Sequence, residues 1–270
     1  MQPQNSVASL APIGPPARQP QRGVLKLITL SIFWGPPQDI DLLGRLSNDL
    51  DSIRAVITEV CQRRVDEDGL AFDPASVVTE RIAEDADYED VRATFQAKLG
   101  DARIAMQVDI GVSDVITPAP AQIMYPSLLE QATAELFAQN RETAIAEKYE
   151  AMVMLAELNS RMKDNFDFAV LAANFEFEAA TLGAAIIATI ERRGATIDPE
   201  PVCFSDRFAA GPLKAAQCKA FVRRSLLSEA PEGFPESVRQ VRDFIRPIAL
   251  QASRGTFGQL KWLPGGPWQS

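Results

Sequence analysis

Pro37-Gln38-Asp39-Ile40-Asp41-Leu42-Leu43-Gly44 sets two carboxylates on either side of one Ile. Residues i and i+2 of a strand project to the same face, with backbones roughly 6–7 Å apart. Two carboxylates so placed can share one or two Mg²⁺ ions. A third on a neighbouring strand completes a two-metal site, where one ion activates an attacking hydroxyl and the other steadies a leaving pyrophosphate. Asp109, in Ile104-Ala105-Met106-Gln107-Val108-Asp109-Ile110-Gly111, ends an apolar run and supplies the candidate third carboxylate. Asp39, Asp41 and Asp109 are thus the candidate metal ligands. The bland alternative is a solvated turn at Asp39 and Asp41, with Asp109 at a strand end. The alternation of Asp with Ile and Leu speaks against it, since a turn needs no flanking apolar residues.

A second constellation lies further on. Lys148 falls near the start of an amphipathic helical stretch, and Arg161 and Lys163 fall in a break before the next one. Asp164 and Asp167 are three apart, and Lys163 and Asp167 are four apart on one helix face. Surface ion pairs and a capped helix start account for this pattern at little energetic gain, and on the residues alone that is the better reading. The functional reading has Lys148, Arg161 and Lys163 facing a triphosphate, with Asp164 and Asp167 orienting those cations.

Composition narrows the chemistry. The chain of 270 residues contains no His. Ser-His and Cys-His catalysis, His bases and His metal ligands are therefore excluded. A metal site must use carboxylate oxygens, which suits Mg²⁺ or a similar hard cation. The net charge of −9 argues against a general polyanion binder. Cys61, Cys203 and Cys218 are odd in number and far apart, as expected of reduced thiols in a cytoplasmic protein. Residues 1–22, rich in Pro, Gln, Ser and Ala, read as a flexible tail without a signal peptide. The apolar runs at 24–34 and 182–190 are too short to span a bilayer.

The elements that must position these groups follow in order. Residues 24–33 read as a buried strand or a short helix leading into one, and Asp39–Leu43 as a short strand with Ile40 opposite the two Asp. Ser47-Asn48-Asp49 caps a helix through Val60, with Leu50, Ile53, Val56, Ile57 and Val60 on its apolar stripe. Asp66-Glu67-Asp68-Gly69 forms a turn. Strands are expected at Ala75–Ile82, Val91–Leu99 and Arg103–Ile110, separated by an acidic loop at Glu84–Asp90 and a turn at Gly100-Asp101. Thr117–Pro126 reads as extended and Pro-punctuated. Helices are expected at Glu142–Leu158, Lys163–Phe175, Ala179–Arg193, Leu213–Leu227 and Ser237–Ser253, the last interrupted at Pro247. The fold class is α+β: a mixed-sheet domain at 23–140, then a helical domain at 141–270.

Taken together, these stretches resemble the nucleotidyl transferase AbiEii/AbiGii toxin family of the DNA polymerase β-like nucleotidyltransferase superfamily. The carriers are Asp39-Ile40-Asp41-Leu42-Leu43-Gly44, Asp68-Gly69-Leu70, Met106-Gln107-Val108-Asp109-Ile110-Gly111, Tyr125-Pro126-Ser127-Leu128-Leu129, Ala146-Glu147-Lys148 and Asn159-Ser160-Arg161-Met162-Lys163-Asp164-x-x-Asp167. The resemblance implies a nucleotidyltransferase-type mixed sheet followed by helices. It implies Mg²⁺-dependent transfer of NMP from an NTP to an acceptor, tRNA for some relatives, by the toxin of a toxin–antitoxin or abortive-infection pair. Asp39, Asp41 and Asp109 would then be metal ligands, and Lys148 a catalytic phosphate contact. Arg161, Lys163, Asp164 and Asp167 would bind or support the nucleotide.

One departure stands out. The family places a Gly and a small residue ahead of its Asp-x-Asp, and at that spacing this chain has Leu27-Ile28. Gly lets backbone approach phosphate closely, and a small hydroxyl can donate to it. Leu and Ile do neither. The lead-in is also Pro-rich where the family has helical sequence. An alternative expectation is therefore a catalytically impaired member that binds only a nucleotide or an antitoxin.

Overall fold

A computed structural model describes residues 24–29, 40–45, 47–65, 68–85, 88–112, 114–125, 134–225 and 233–270. The tail at 1–22, Asp39, the end of the first apolar run, Asp66-Glu67, residues 126–129 and Leu226-Leu227 lie outside them. The chain divides into two compact units.

Among the described residues the first unit holds seven strands and one helix. These are β1 (Val24–Thr29), β2 (Ile40–Arg45), α1 (Leu50–Cys61), β3 (Leu70–Asp85), β4 (Tyr88–Leu99), β5 (Ala102–Gly111), β6 (Ala121–Tyr125) and β7 (Ala134–Ala138). They form one mixed sheet in the order β3-β4-β5-β2-β1-β7-β6. The β2–β5 and β1–β7 pairs are parallel and the rest antiparallel. Strict alternation builds the centre. Val91, Ala93, Phe95 and Ala97 of β4 are buried, as are Val108 and Ile110 of β5. They pack with Ile53 and Ile57 of α1, and Ile40 and Leu42 join the edge of this core. The residues between them point to the other face. Asp49 caps α1, its Oδ2 accepting from the Ser52 amide at 2.8 Å.

The second unit holds α2 (Arg141–Leu155), α3 (Met162–Asn174), β8 (Phe177–Glu178), α4 (Ala179–Arg192), α5 (Asp206–Ala209), α6 (Pro212–Ser225), α7 (Phe234–Arg254), β9 (Lys261–Trp262) and β10 (Trp268–Gln269). The segment 115–119 belongs to it. The Thr143 hydroxyl ties that segment to α2 by accepting from the Thr117 amide and donating to the Thr117 carbonyl. The core runs from Tyr149 and Met152 of α2 through Phe166 and Ile186 to Phe244 and Trp262. Gly183 of α4 is there because the ring of Phe257 fills the space a Cβ would need, with a ring carbon only 2.0 Å from that position.

The mixed sheet followed by helices is the expected α+β class. Several local expectations are corrected. Val60 is 47% exposed, while its neighbour Cys61 packs against the core of the sheet. The acidic stretch Glu84–Asp90 is mostly strand: β3 and β4 continue as a long hairpin with Arg81 opposite Val91 and Ala83 opposite Glu89. Strand β6 forms within the Pro-punctuated stretch, in keeping with its extended reading, but its partner β7 was not expected, since it lacks a clear alternating signal. Helix α7 passes through Pro247 without interruption. The carbonyl left without an amide donor belongs to Asp243, an exposed residue.

Candidate active site

The sheet register decides where the first acidic group goes. Asp41 of β2 is the direct partner of Asp109 of β5 across a parallel pair. Neighbouring strands lie about 4.8 Å apart, so these two carboxylates start from adjacent positions on one face. Ile40 and Leu42 go to the α1 side, which leaves Asp41 on the opposite face, as the alternation of the segment requires. The row continues sideways, with Arg92 of β4 opposite Asp109 and Glu80 of β3 opposite Arg92.

Arg92 is the residue the sequence reasoning missed. Its Nε donates to Asp109 Oδ1 and its Nη2 to Asp109 Oδ2, both at 2.8 Å. The Gln107 amide reaches Asp109 Oδ2 at 3.4 Å. The pair is partly sheltered, with side chains 32% and 22% exposed. A two-pronged guanidinium–carboxylate pair fixes the orientation of both planes. The alternation of β4 puts Arg92 on the polar face, and the two-residue turn at Gly100-Asp101 fixes the hairpin register that sets it beside Asp109, so the signal was present in the sequence.

The donor set fits a hard cation in kind. Asp41 and Asp109 offer carboxylate oxygens from adjacent positions. Among the described residues, no three acidic or thiol groups gather to hold a metal, and Asp39 lies outside them.

The second group is built by α2 and α3. Asn140 caps α2 through the Thr143 amide. Asn159 Oδ1 receives the Arg161 amide at 2.9 Å, and the Asn159 carbonyl receives Lys214 Nζ at 2.5 Å. That fixes the entry to α3, whose first turns carry Asp164 and Asp167. Lys148 Nζ donates to Asp164 Oδ1 at 2.9 Å and lies 2.7 Å from Asp167 Oδ2. These are not surface ion pairs: the Asp164 and Asp167 side chains are 11% and 5% exposed. Asp164 Oδ2 and Asp167 Oδ1 are buried without a hydrogen-bond partner. Burial alone would push the Lys148 ammonium down, but Asp164 and Asp167 more than offset it and hold its pKa above the ordinary lysine value. Lys148 is therefore a fixed cation with no capacity to act as a base near neutral pH. Arg161 and Lys163 are exposed. Asp167 pairs with Lys148 from the other helix, although Lys163 shares its helix face.

Comparison with known families bears on the chain as a whole. A family model for the nucleotidyl transferase AbiEii toxin of type IV toxin–antitoxin systems matches residues 28–243. The chain belongs to this family. AbiEii membership carries with it a nucleotide substrate and an antitoxin partner at the level of the family. No curated protein matches the chain. Among solved structures, a candidate nucleotidyltransferase from H. pylori is 14% identical, with 81% of this chain and 79% of that chain covered at a TM-score of 0.40. JHP933 from Helicobacter pylori is also 14% identical, with 85% and 84% covered at a TM-score of 0.42. Among the described residues no helix is long and apolar enough to cross a membrane.

Proposed function

We propose that the protein is a cytoplasmic, Mg²⁺-dependent nucleotidyltransferase toxin that moves NMP from an NTP to an acceptor such as tRNA. Residues 23–140, apart from the segment 115–119 that joins the second unit, would form the nucleotidyltransferase domain, and residues 141–270 the helical domain. The observation that carries this reading is the direct register of Asp41 with Asp109, within a chain of the AbiEii family.

Asp39, Asp41 and Asp109 would hold the metal. When bound, it supplies charge neutralisation at the attacking and leaving oxygens of an in-line displacement. The protein's own work is positioning and electrostatics. Lys148 uses two of its three N–H bonds on Asp164 and Asp167, and its remaining donor serves a phosphate oxygen. Arg161 and Lys163 add exposed positive charge for the triphosphate. Asp164 and Asp167 hold and orient that ammonium.

One observation favours a second reading, an impaired member that only binds nucleotide or antitoxin. Leu27 and Ile28 lie in an inner strand, paired to β2 on one side and β7 on the other. A labelled NTP, Mg²⁺ and total tRNA separate the two readings. Transfer of label by the parent protein supports the enzyme. Absence of transfer by well-folded protein that still binds an antitoxin supports the second reading. A small DNA-binding protein encoded immediately upstream would supply that antitoxin.

A further inference from the structure

We infer that Arg92 is a built-in counter-cation of the Asp41–Asp109 pair, which keeps the pair a weak site for a bare divalent ion. The inference rests on the metal reading of that pair and goes beyond it, since it names what opposes the metal. Two carboxylates at directly registered positions carry a charge of −2 and repel each other. Arg92 offsets one of these two charges and occupies both oxygens of Asp109, at 2.8 Å each, while Glu80 lies on its other side in the row. A divalent cation arriving beside Asp109 meets the guanidinium charge at close range. Even at a dielectric near that of water, a 2+ and a 1+ charge about 5 Å apart repel enough to shift binding roughly tenfold. The fork is anchored from a separate strand, with Arg92 placed opposite Asp109 by the β4–β5 register. Its position therefore does not depend on the metal. A cation that arrives with a triphosphate brings its own negative charge past this barrier, whereas a bare cation does not. Arg92 is thus a positioning residue that holds Asp109 and couples metal entry to nucleotide.

The test is Mn²⁺ binding to the full chain without nucleotide, followed by electron paramagnetic resonance at low ionic strength. Mn²⁺ takes the same oxygen ligands as Mg²⁺. Arg92→Gln is expected to tighten Mn²⁺ binding roughly tenfold or more. Arg92→Lys keeps the charge and is expected to stay within about threefold of the parent protein. A role confined to stability would not tighten a cation site. Arg92→Thr repeats the measurement with a strand-forming residue, and a thermal melt confirms the fold of each variant. If Arg92→Gln binds Mn²⁺ no better than the parent while Asp41→Ala abolishes binding, the inference fails and the metal reading survives. If no variant binds Mn²⁺, Arg92 is not what excludes the bare ion and the inference fails; if Asp41→Ala leaves Mn²⁺ binding intact, both are overturned.

Discussion

At the scale of single residues, Lys148 shows how burial separates two readings that spacing leaves open. Spacing places Lys148, Asp164 and Asp167 on neighbouring helices, which suits a solvated face as well as a site. The structure buries both carboxylates and sets the ammonium between them. Removing one partner of a buried pair leaves uncompensated charge, at a cost of about 3–5 kcal/mol. Lys148→Met should therefore lower stability by about 3 kcal/mol, read as a shift in the urea midpoint. The pH dependence has a definite sign. The folded-state pKa of Lys148 lies above its ordinary value of 10.5. Its stabilising contribution is whole below pH 10.5 and is lost as pH rises through the folded value. The gap between parent and Lys148→Met should stay flat from about pH 6 to 9 and narrow only above about pH 10.5. Narrowing already at pH 8 would show that the ammonium is not held by the two carboxylates. Arg92 marks the opposite case. Its face was readable from alternation and its partner from the two-residue turn at Gly100-Asp101, which sets the β4–β5 register; the two-pronged geometry of the contact was not.

At the scale of elements, most of the fold was legible because strong periodicity and punctuation agree. Val91 to Ala97 alternates cleanly, and its strand forms where expected. Asp49 caps α1, and Gly194 follows α4 with a positive φ. The misreadings share a physical cause. Charged residues at Glu84–Asp90 suggested a loop, but a hairpin can carry them where its strands continue past the core. Pro247 suggested a break, but a helix tolerates proline where the released carbonyl faces water. Strand β7 forms through its neighbours β1 and β6, a pairing invisible to a local pattern. Gly183 gives an element-scale test. Gly183→Ala would drive a methyl into the ring of Phe257, and overpacking of this kind costs about 1–3 kcal/mol. Ala is otherwise the better helix former by about 1 kcal/mol. A loss of stability measured by calorimetry, relieved by adding Phe257→Leu, is the expected outcome. A stabilised Gly183→Ala variant would mean that the ring sits elsewhere.

At the scale of the whole molecule, charge and family membership constrain what the protein can engage. A chain of net charge −9 gains little from counterion release on a polyanion. Binding to unstructured poly-U at physiological ionic strength should be weak, with a Kd above about 10 μM by fluorescence anisotropy. Any RNA acceptor would then be chosen by shape or end chemistry. Membership of the AbiEii family points to nucleotidyl transfer, while Asp39 lies outside the described residues and Leu27-Ile28 stands where the resemblance leads one to expect a Gly and a small residue. The Asp41–Asp109 register is therefore the point on which the enzymatic reading turns. The most direct test incubates the full chain with Mg²⁺, total tRNA and each of four labelled NTPs, in parallel with Asp41→Ala. Transfer of label by the parent, reduced about 100-fold or more in Asp41→Ala, is the expected result. Equal transfer by parent and variant would contradict it.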